Sequence, residues 1–192
     1  MLQTILLLVL NAVFGFLTIV LLARFFMQWL RVSFRNQIGQ FVVAATDWAV
    51  RPLRRFVPGL FGLDLASLLP AWILQILFVA IELALRGLPL DGGAVGLVLG
   101  LSGLGLLELA RMAIYLIFAV VLVAAILSWV SPHAPAAPVF RGLADPLLRP
   151  FRRILPTIAN IDLSPLVLLV LLQIVLVVLS GLRGNFMPLL MA

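Results

Sequence analysis

The sequence has no cysteine, no lysine and a single histidine, His133. Disulfides, thiol chemistry and any cysteine–histidine metal cage are thereby excluded. Charge is also scarce: 10% of the 192 residues are charged against 65% hydrophobic. No water-soluble domain carries that balance on its surface, so the chain reads as an integral membrane protein. The charge that exists is lopsided, 13 arginines against 7 acids for a formal net charge of +6. In a membrane protein such an excess sorts to the cytoplasmic loops. It is not by itself a nucleic-acid signature, and no nucleic-acid partner is expected. Arginine suits phosphate better than lysine does, but arginines at scattered sites such as Arg86 and Arg183 fit a general replacement of lysine. No nucleophile, base and orienting group share one place, so neither enzyme activity nor a cofactor or metal is expected.

A bilayer-crossing helix needs about 20 mostly apolar residues. Four segments qualify: Ile5 to Ala23, Leu65 to Leu85, Met112 to Val130 and Leu163 to Leu182. The first lacks the basic region and cleavage site of a secretory signal and reads as a retained span. A fifth run, Ala94 to Leu107, is uncharged and glycine-rich but only 14 residues long. Such a length favours an interfacial or re-entrant segment, serving as a flexible outer connection or for close packing. It lacks the lysine and Ser/Thr of a phosphate loop.

The motif RPLRRFVP at 51–58 returns 98 residues later as RPFRRILP at 149–156. At the same offset Asp47 matches Asp145, Asp64 matches Asp162 and Gln75 matches Gln173, while Trp29 and Trp129 align at an offset of 100. The chain is one membrane unit written twice: residues 1–91, a linker at 92–104, and residues 105–192. If both arginine clusters stay inside, 94–107 does not cross and the repeats are parallel. The expected fold is therefore an all-α membrane protein of four transmembrane helices from two parallel tandem repeats. Each repeat carries a cytoplasmic amphipathic segment and an RPxRRxxP loop, and both termini are periplasmic.

The doubled pattern QWL…D…RPLRRFVP…LDLAS and SWV…DPLLRPFRRILP…IDLSP closely resembles the bacterial YggT family, over nearly the whole chain. The resemblance implies a multi-pass inner-membrane protein without an established catalytic mechanism. It also implies a theme of osmotic or envelope stress and membrane organisation.

Around the motif, Ile38, Phe41, Val42, Ala45 and Ala49 recur at helical spacing, as in a helix lying in the interface. Pro52 and Pro150 disfavour helix at the preceding arginine, predicting a break before each Arg-Arg pair. Arg51, Arg54, Arg55, Arg149, Arg152 and Arg153 are candidates for binding anionic lipid or a partner, against the plainer role of orientation and snorkelling. Asp47 and Asp145, each four residues before Arg51 or Arg149, are expected to brace those loops. Asp145 followed by Pro146 also has the form of a helix N-cap. Asp64 and Asp162 are positioned to cap the spans that follow, Trp29 and Trp129 to anchor at the interface, and Arg24 to snorkel. His133 sits in a proline-rich loop and is expected to be solvated.

Polar residues in the spans, Gln75, Gln173, Glu82, Glu108 and Arg111, either join helices or mark a path. The leading expectation is a non-enzymatic organiser of membrane complexes. Its partners would be the bilayer, anionic lipids, other membrane proteins and a second copy of itself. The rival is a small oligomeric ion transporter or channel.

Overall fold

The computed structural model describes residues 1–55, 64–88, 93–154, 162–186, 188 and 190, and every element among them is helical. The order is α1 (Leu2–Trp29), α2 (Gln37–Leu53), α3 (Leu65–Leu85), α4 (Ala94–Val130), α5 (Ala137–Ile154), α6 (Ser164–Leu182) and a short 3-10 turn, Arg183–Asn185. Four helices, α1, α3, α4 and α6 continued through Asn185, are long and apolar enough to cross a membrane. The fold is thus an all-α membrane architecture.

The repeats are parallel. Gly15 of α1 lies against Met112 of α4, and further along both helices Ala23, Phe26 and Leu30 line the same cavity as Leu116, Ile117 and Val120. Within the first copy α3 runs back along α1: the rings of Phe14 and Phe78 lie 5.8 Å apart, and Gln3 donates to the Leu85 carbonyl. Both connecting helices lie at one end of the bundle. There Val42 of α2 and Val139, Leu143 and Leu148 of α5 share one buried cluster with Met27 of α1 and Val120 and Val121 of α4.

The glycine-rich run is not a flexible connection. Residues 94–107 begin α4, a single 37-residue helix that is about 55 Å long at 1.5 Å per residue. Glycine here serves close approach: a β-carbon on Gly105 would lie 2.5 Å from Ile76 Cγ1 and 3.1 Å from its backbone nitrogen. Leu104 fills in beside it, buried against Val79 and Leu83. The absence of a side chain thus seats α4 directly on the α3 backbone.

The break expected before each Arg-Arg pair occurs in the first copy, where α2 ends at Leu53, but not in the second. Helix α2 runs through Pro52, and α5 continues through both Pro146 and Pro150. Burial of Leu143, Ala144 and Leu148 against the α4 side offsets the hydrogen bonds those prolines remove. Asp145 is consequently mid-helix and not an N-cap. Helix α2 begins after Asn36, whose side chain accepts from the Gly39 amide at 2.7 Å. Pro58, Pro156 and the rest of both motif ends lie outside the described residues.

Candidate functional sites

Six arginines and two aspartates lie between Arg24 and Asp64, and four arginines and two aspartates between Arg141 and Asp162. These stretches therefore hold the whole formal net charge of +6 at one end of the bundle. One ion pair is written twice there. Arg54 donates to Asp64 at 2.7 Å, and at the matching positions Arg152 donates to Asp162 at 2.7 Å. Each ties the end of an amphipathic helix to the start of the following span. Asp64 precedes α3 but makes no capping bond to its backbone, and its carboxylate accepts from Ser67 Oγ instead. Asp162 accepts from the Ser164 amide at 2.9 Å.

Beyond that shared pair the copies diverge, and the cause is one side chain. In the first copy Arg24 of α1 is buried, 5% exposed, and donates to Thr46 Oγ1 and Asp47 Oδ1, both at 2.8 Å. It does not snorkel, and Asp47 braces α2 to α1, not to Arg51. At an offset of 100 the second copy has Ala124, too short to reach. Asp145 turns instead to Arg152 at 2.8 Å, so one guanidinium holds two carboxylates. A cavity of about 90 Å³ beside Ala124, Asp145 and Arg152 marks the lost volume. Burial opposes the charge of Asp162, but hydrogen bonds from Ser164 and Arg152 outweigh it and hold its carboxyl below the ordinary value. The same pairing outweighs desolvation at Arg152 and raises its pKa.

Arg54 and Arg152 are therefore committed to the scaffold. Arg51, Arg55, Arg149 and Arg153 are exposed and make no ion pair among the described residues. Helical spacing puts Arg51 on the exposed side of α2 with Phe41 and Trp48, 54% and 61% exposed, and Arg55 follows two residues beyond the end of the helix. Phe41 also lies 6.4 Å from the ring of Phe16, itself exposed on α1. Aromatics and a guanidinium thus share one outward side.

At the far end, the structure brings Glu82, Glu108 and Arg111 together and adds two residues that sequence reasoning had set aside. Arg183 reaches Glu82 at 2.9 Å and Glu108 at 3.3 Å, Arg86 reaches Glu82 at 2.7 Å, and Arg111 reaches Glu108 at 3.0 Å. Both glutamates are 8% exposed. They border a cavity of about 520 Å³ into which Asn11 and Tyr115 also face. The link was legible only in part: Glu108 and Arg111 are three apart on one helix, whereas Arg183 lies 101 residues from Glu82.

The two glutamines part company. Gln75 is 1% exposed and donates to Thr18 Oγ1 at 2.8 Å, joining α3 to α1. Gln173 is exposed on α6. Neither lines the charged cavity.

Four spans in two parallel copies, each locked by the same arginine–aspartate pair, define a duplicated multi-pass membrane protein. The chain belongs to the CCB3/YggT family, whose model matches residues 3–84 and 104–183, one segment in each copy. It is 42% identical to the uncharacterised protein YggT of Escherichia coli K12 over 168 residues, 86% of this chain and 84% of that one. An uncharacterised protein encoded in the proC 3' region of Vibrio alginolyticus is 38% identical over 164 residues, 85% and 86% of the two chains. An uncharacterised protein of Pseudomonas aeruginosa is 33% identical over 159 residues, 82% and 79%. No solved structure matches the chain.

Proposed function

We propose that this chain is a non-enzymatic organiser of the bacterial inner membrane. Its α2 and α5 face the cytoplasmic leaflet, and its free arginines gather anionic phospholipid headgroups around the complexes it helps assemble, in support of envelope or osmotic homeostasis. The observation that carries this reading is the exposed side of α2 and its C-terminal end, where Arg51 and then Arg55 accompany exposed Trp48 and Phe41. The amphipathic indole of Trp48 favours the headgroup layer, and a guanidinium matches a phosphate bidentately. Each near-surface arginine adds about 1 kcal/mol of attraction to an anionic leaflet. Four such arginines together give about 4 kcal/mol of attraction before screening.

The test is the lipid retained by the purified protein. Changing Arg51, Arg55, Arg149 and Arg153 to Gln leaves Arg54 and Arg152 to hold the fold, and co-purified phosphatidylglycerol and cardiolipin fall towards their bulk proportions. Unchanged enrichment in that variant defeats the reading. Orientation is checked separately, because the cysteine-free chain accepts single reporters. Gln40→Cys and His133→Cys are both shielded from an impermeant thiol reagent in intact cells, and labelling of either overturns the topology.

A second reading, a small ion or polar-solute transporter, is favoured by the charged cavity of about 520 Å³. Buried ionisable groups within spans default to function. Against conduction through one copy stands the packed core next to the cavity, where Leu21, Leu22, Ala71 and Leu109 are buried and Gln75 is tied to Thr18. Flux through liposomes that disappears on changing Glu82 and Glu108 to Gln supports this second reading, and absence of flux from the intact protein rejects it.

A further inference from the structure

The two repeats treat the same surface differently. In the first copy the side of α3 bearing Trp72, Ile76, Val79 and Leu83 is covered by α4, with the Trp72 indole donating to the Ser102 carbonyl at 3.2 Å and Gly105 seated on Ile76. At an offset of 98 these positions are Val170, Ile174, Val177 and Gly181 of α6, and all are exposed. Val170, Ile174 and Val177 are 52%, 54% and 69% exposed. Apolar exposure is normal against lipid, but Gln173 on the edge of this face is not. A carboxamide has no partner in hydrocarbon, and its transfer there is unfavourable.

Its repeat mate has only its amide nitrogen satisfied, while its Oε1 has no partner among the described residues. Gln75 is buried on Thr18, whereas the position matching Thr18 in the second copy is Phe118, which offers no hydrogen bond. Phe118 and Gln173 stand together in an open groove of about 320 Å³ between α4 and α6. Leu166, Val170, Gln173, Val177 and Ser180 then recur along α6 at alternating steps of four and three, and all five are exposed. That spacing is an a/d helix-pairing seam, with two polar residues, Gln173 and Ser180, among apolar ones.

We propose that this α6 seam is the interface with a second copy of this chain, the two related by a two-fold axis along the membrane normal. A carboxamide both donates and accepts, so two Gln173 side chains brought face to face by that axis satisfy each other without a third group. The two-fold also sets both glutamines at equal depth. β-Branched Val170 and Val177 flank the pair at seam positions, where such side chains favour a two-stranded assembly.

Oxidative cross-linking in native membranes tests this, since the chain supplies no background thiol. Single cysteines at Val170 and Val177 form disulfide-linked dimers in cells co-expressing two differently tagged copies, and each dimer carries both tags. Cysteines at Leu171, Val175 and Val178, exposed on other sides of α6, remain monomeric. Adding Gln173→Ala to the Val177→Cys chain weakens association roughly three- to thirtyfold, the range of one interhelical polar bond in membranes, while Gln173→Asn retains most of it. Equal cross-linking on all faces of α6, no cross-linking on any, or adducts carrying only one tag and a different protein each overturn the proposal.

Discussion

Removing the carboxylate from Asp47 should damage the protein more than removing the arginine it serves. Arg24 is 5% exposed, and its guanidinium donates to Thr46 and Asp47 at 2.8 Å each. A guanidinium cannot shed its proton to escape burial, so Asp47→Asn leaves a buried cation with only neutral oxygens beside it. Breaking a buried pair from one side costs about 3–5 kcal/mol. The Asp47 side chain is 43% exposed, so water screens part of that charge, and we expect about 2–3 kcal/mol. Arg24→Met, by contrast, removes the buried charge and keeps most of the apolar stem. Asp47 is then hydrated from its exposed side, Thr46 keeps its bond to the Val42 carbonyl at 2.6 Å, and the loss is within about 1 kcal/mol. For a chain of this length 1 kcal/mol moves Tm by about 2–4 °C. Thermal unfolding in detergent, followed through tryptophan fluorescence, should place Asp47→Asn about 4–12 °C below the parent and Arg24→Met within about 4 °C. The double variant should resemble Arg24→Met. If Arg24→Met is the less stable of the two single variants, the account of this pair as a buried cation rescued by its carboxylate is wrong.

Gly105→Ala forces α4 off the Ile76 backbone and lowers Tm, whereas Gly181→Ala, with nothing within 4 Å, leaves it unchanged or slightly raised; equal effects would remove the close-packing role of Gly105. Gln75→Leu strands the Thr18 hydroxyl but also removes the unpartnered Gln75 Oε1, so the net cost is within about 1 kcal/mol, and adding Thr18→Val restores what is lost in the same unfolding assay. For Asp162 the folded pKa lies below the ordinary carboxylate value, so its contribution to stability is present above about pH 4 and fades as pH falls through the lower folded value. Unfolding midpoints measured from pH 6 to pH 2.5 should show a steeper acid loss in the parent than in Asp162→Asn.

The spans and their duplication were legible because hydropathy and repetition are properties of the chain itself. Leu65 to Leu85 matches α3 end for end. Spacing also revealed that Asp64 and Asp162 are equivalent; each pairs with the arginine 10 residues before it, and Asp162 also accepts from the amide at the start of α6, whereas Asp64 makes no such bond to α3. Partner choice was where sequence failed. A four-residue interval suggested Asp47 with Arg51, but tertiary packing delivered Arg24 from another helix, and burial made that pairing the stronger one. Proline preferences likewise describe an isolated peptide and gave way at Pro146 and Pro150 to burial of the α5 apolar face. Gln75 and Gln173 are identical in type and register. Their different environments depend on α4 following one copy and on residue 118 being Phe, neither of which is local to either glutamine.

The arginine–glutamate network between the repeats also sets an order of events. Glu82 and Glu108 emerge from the ribosome long before Arg183, which lies 101 residues after Glu82. At about 5–20 residues per second, Glu82 waits roughly 5–20 s for that partner, held meanwhile by Arg86, while Glu108 is held by Arg111. The last span brings the one arginine that, among the described residues, touches both glutamates, onto halves already packed through α3 and α4. A nascent chain stalled before Arg183 therefore has both glutamates neutralised locally but not yet bridged to each other.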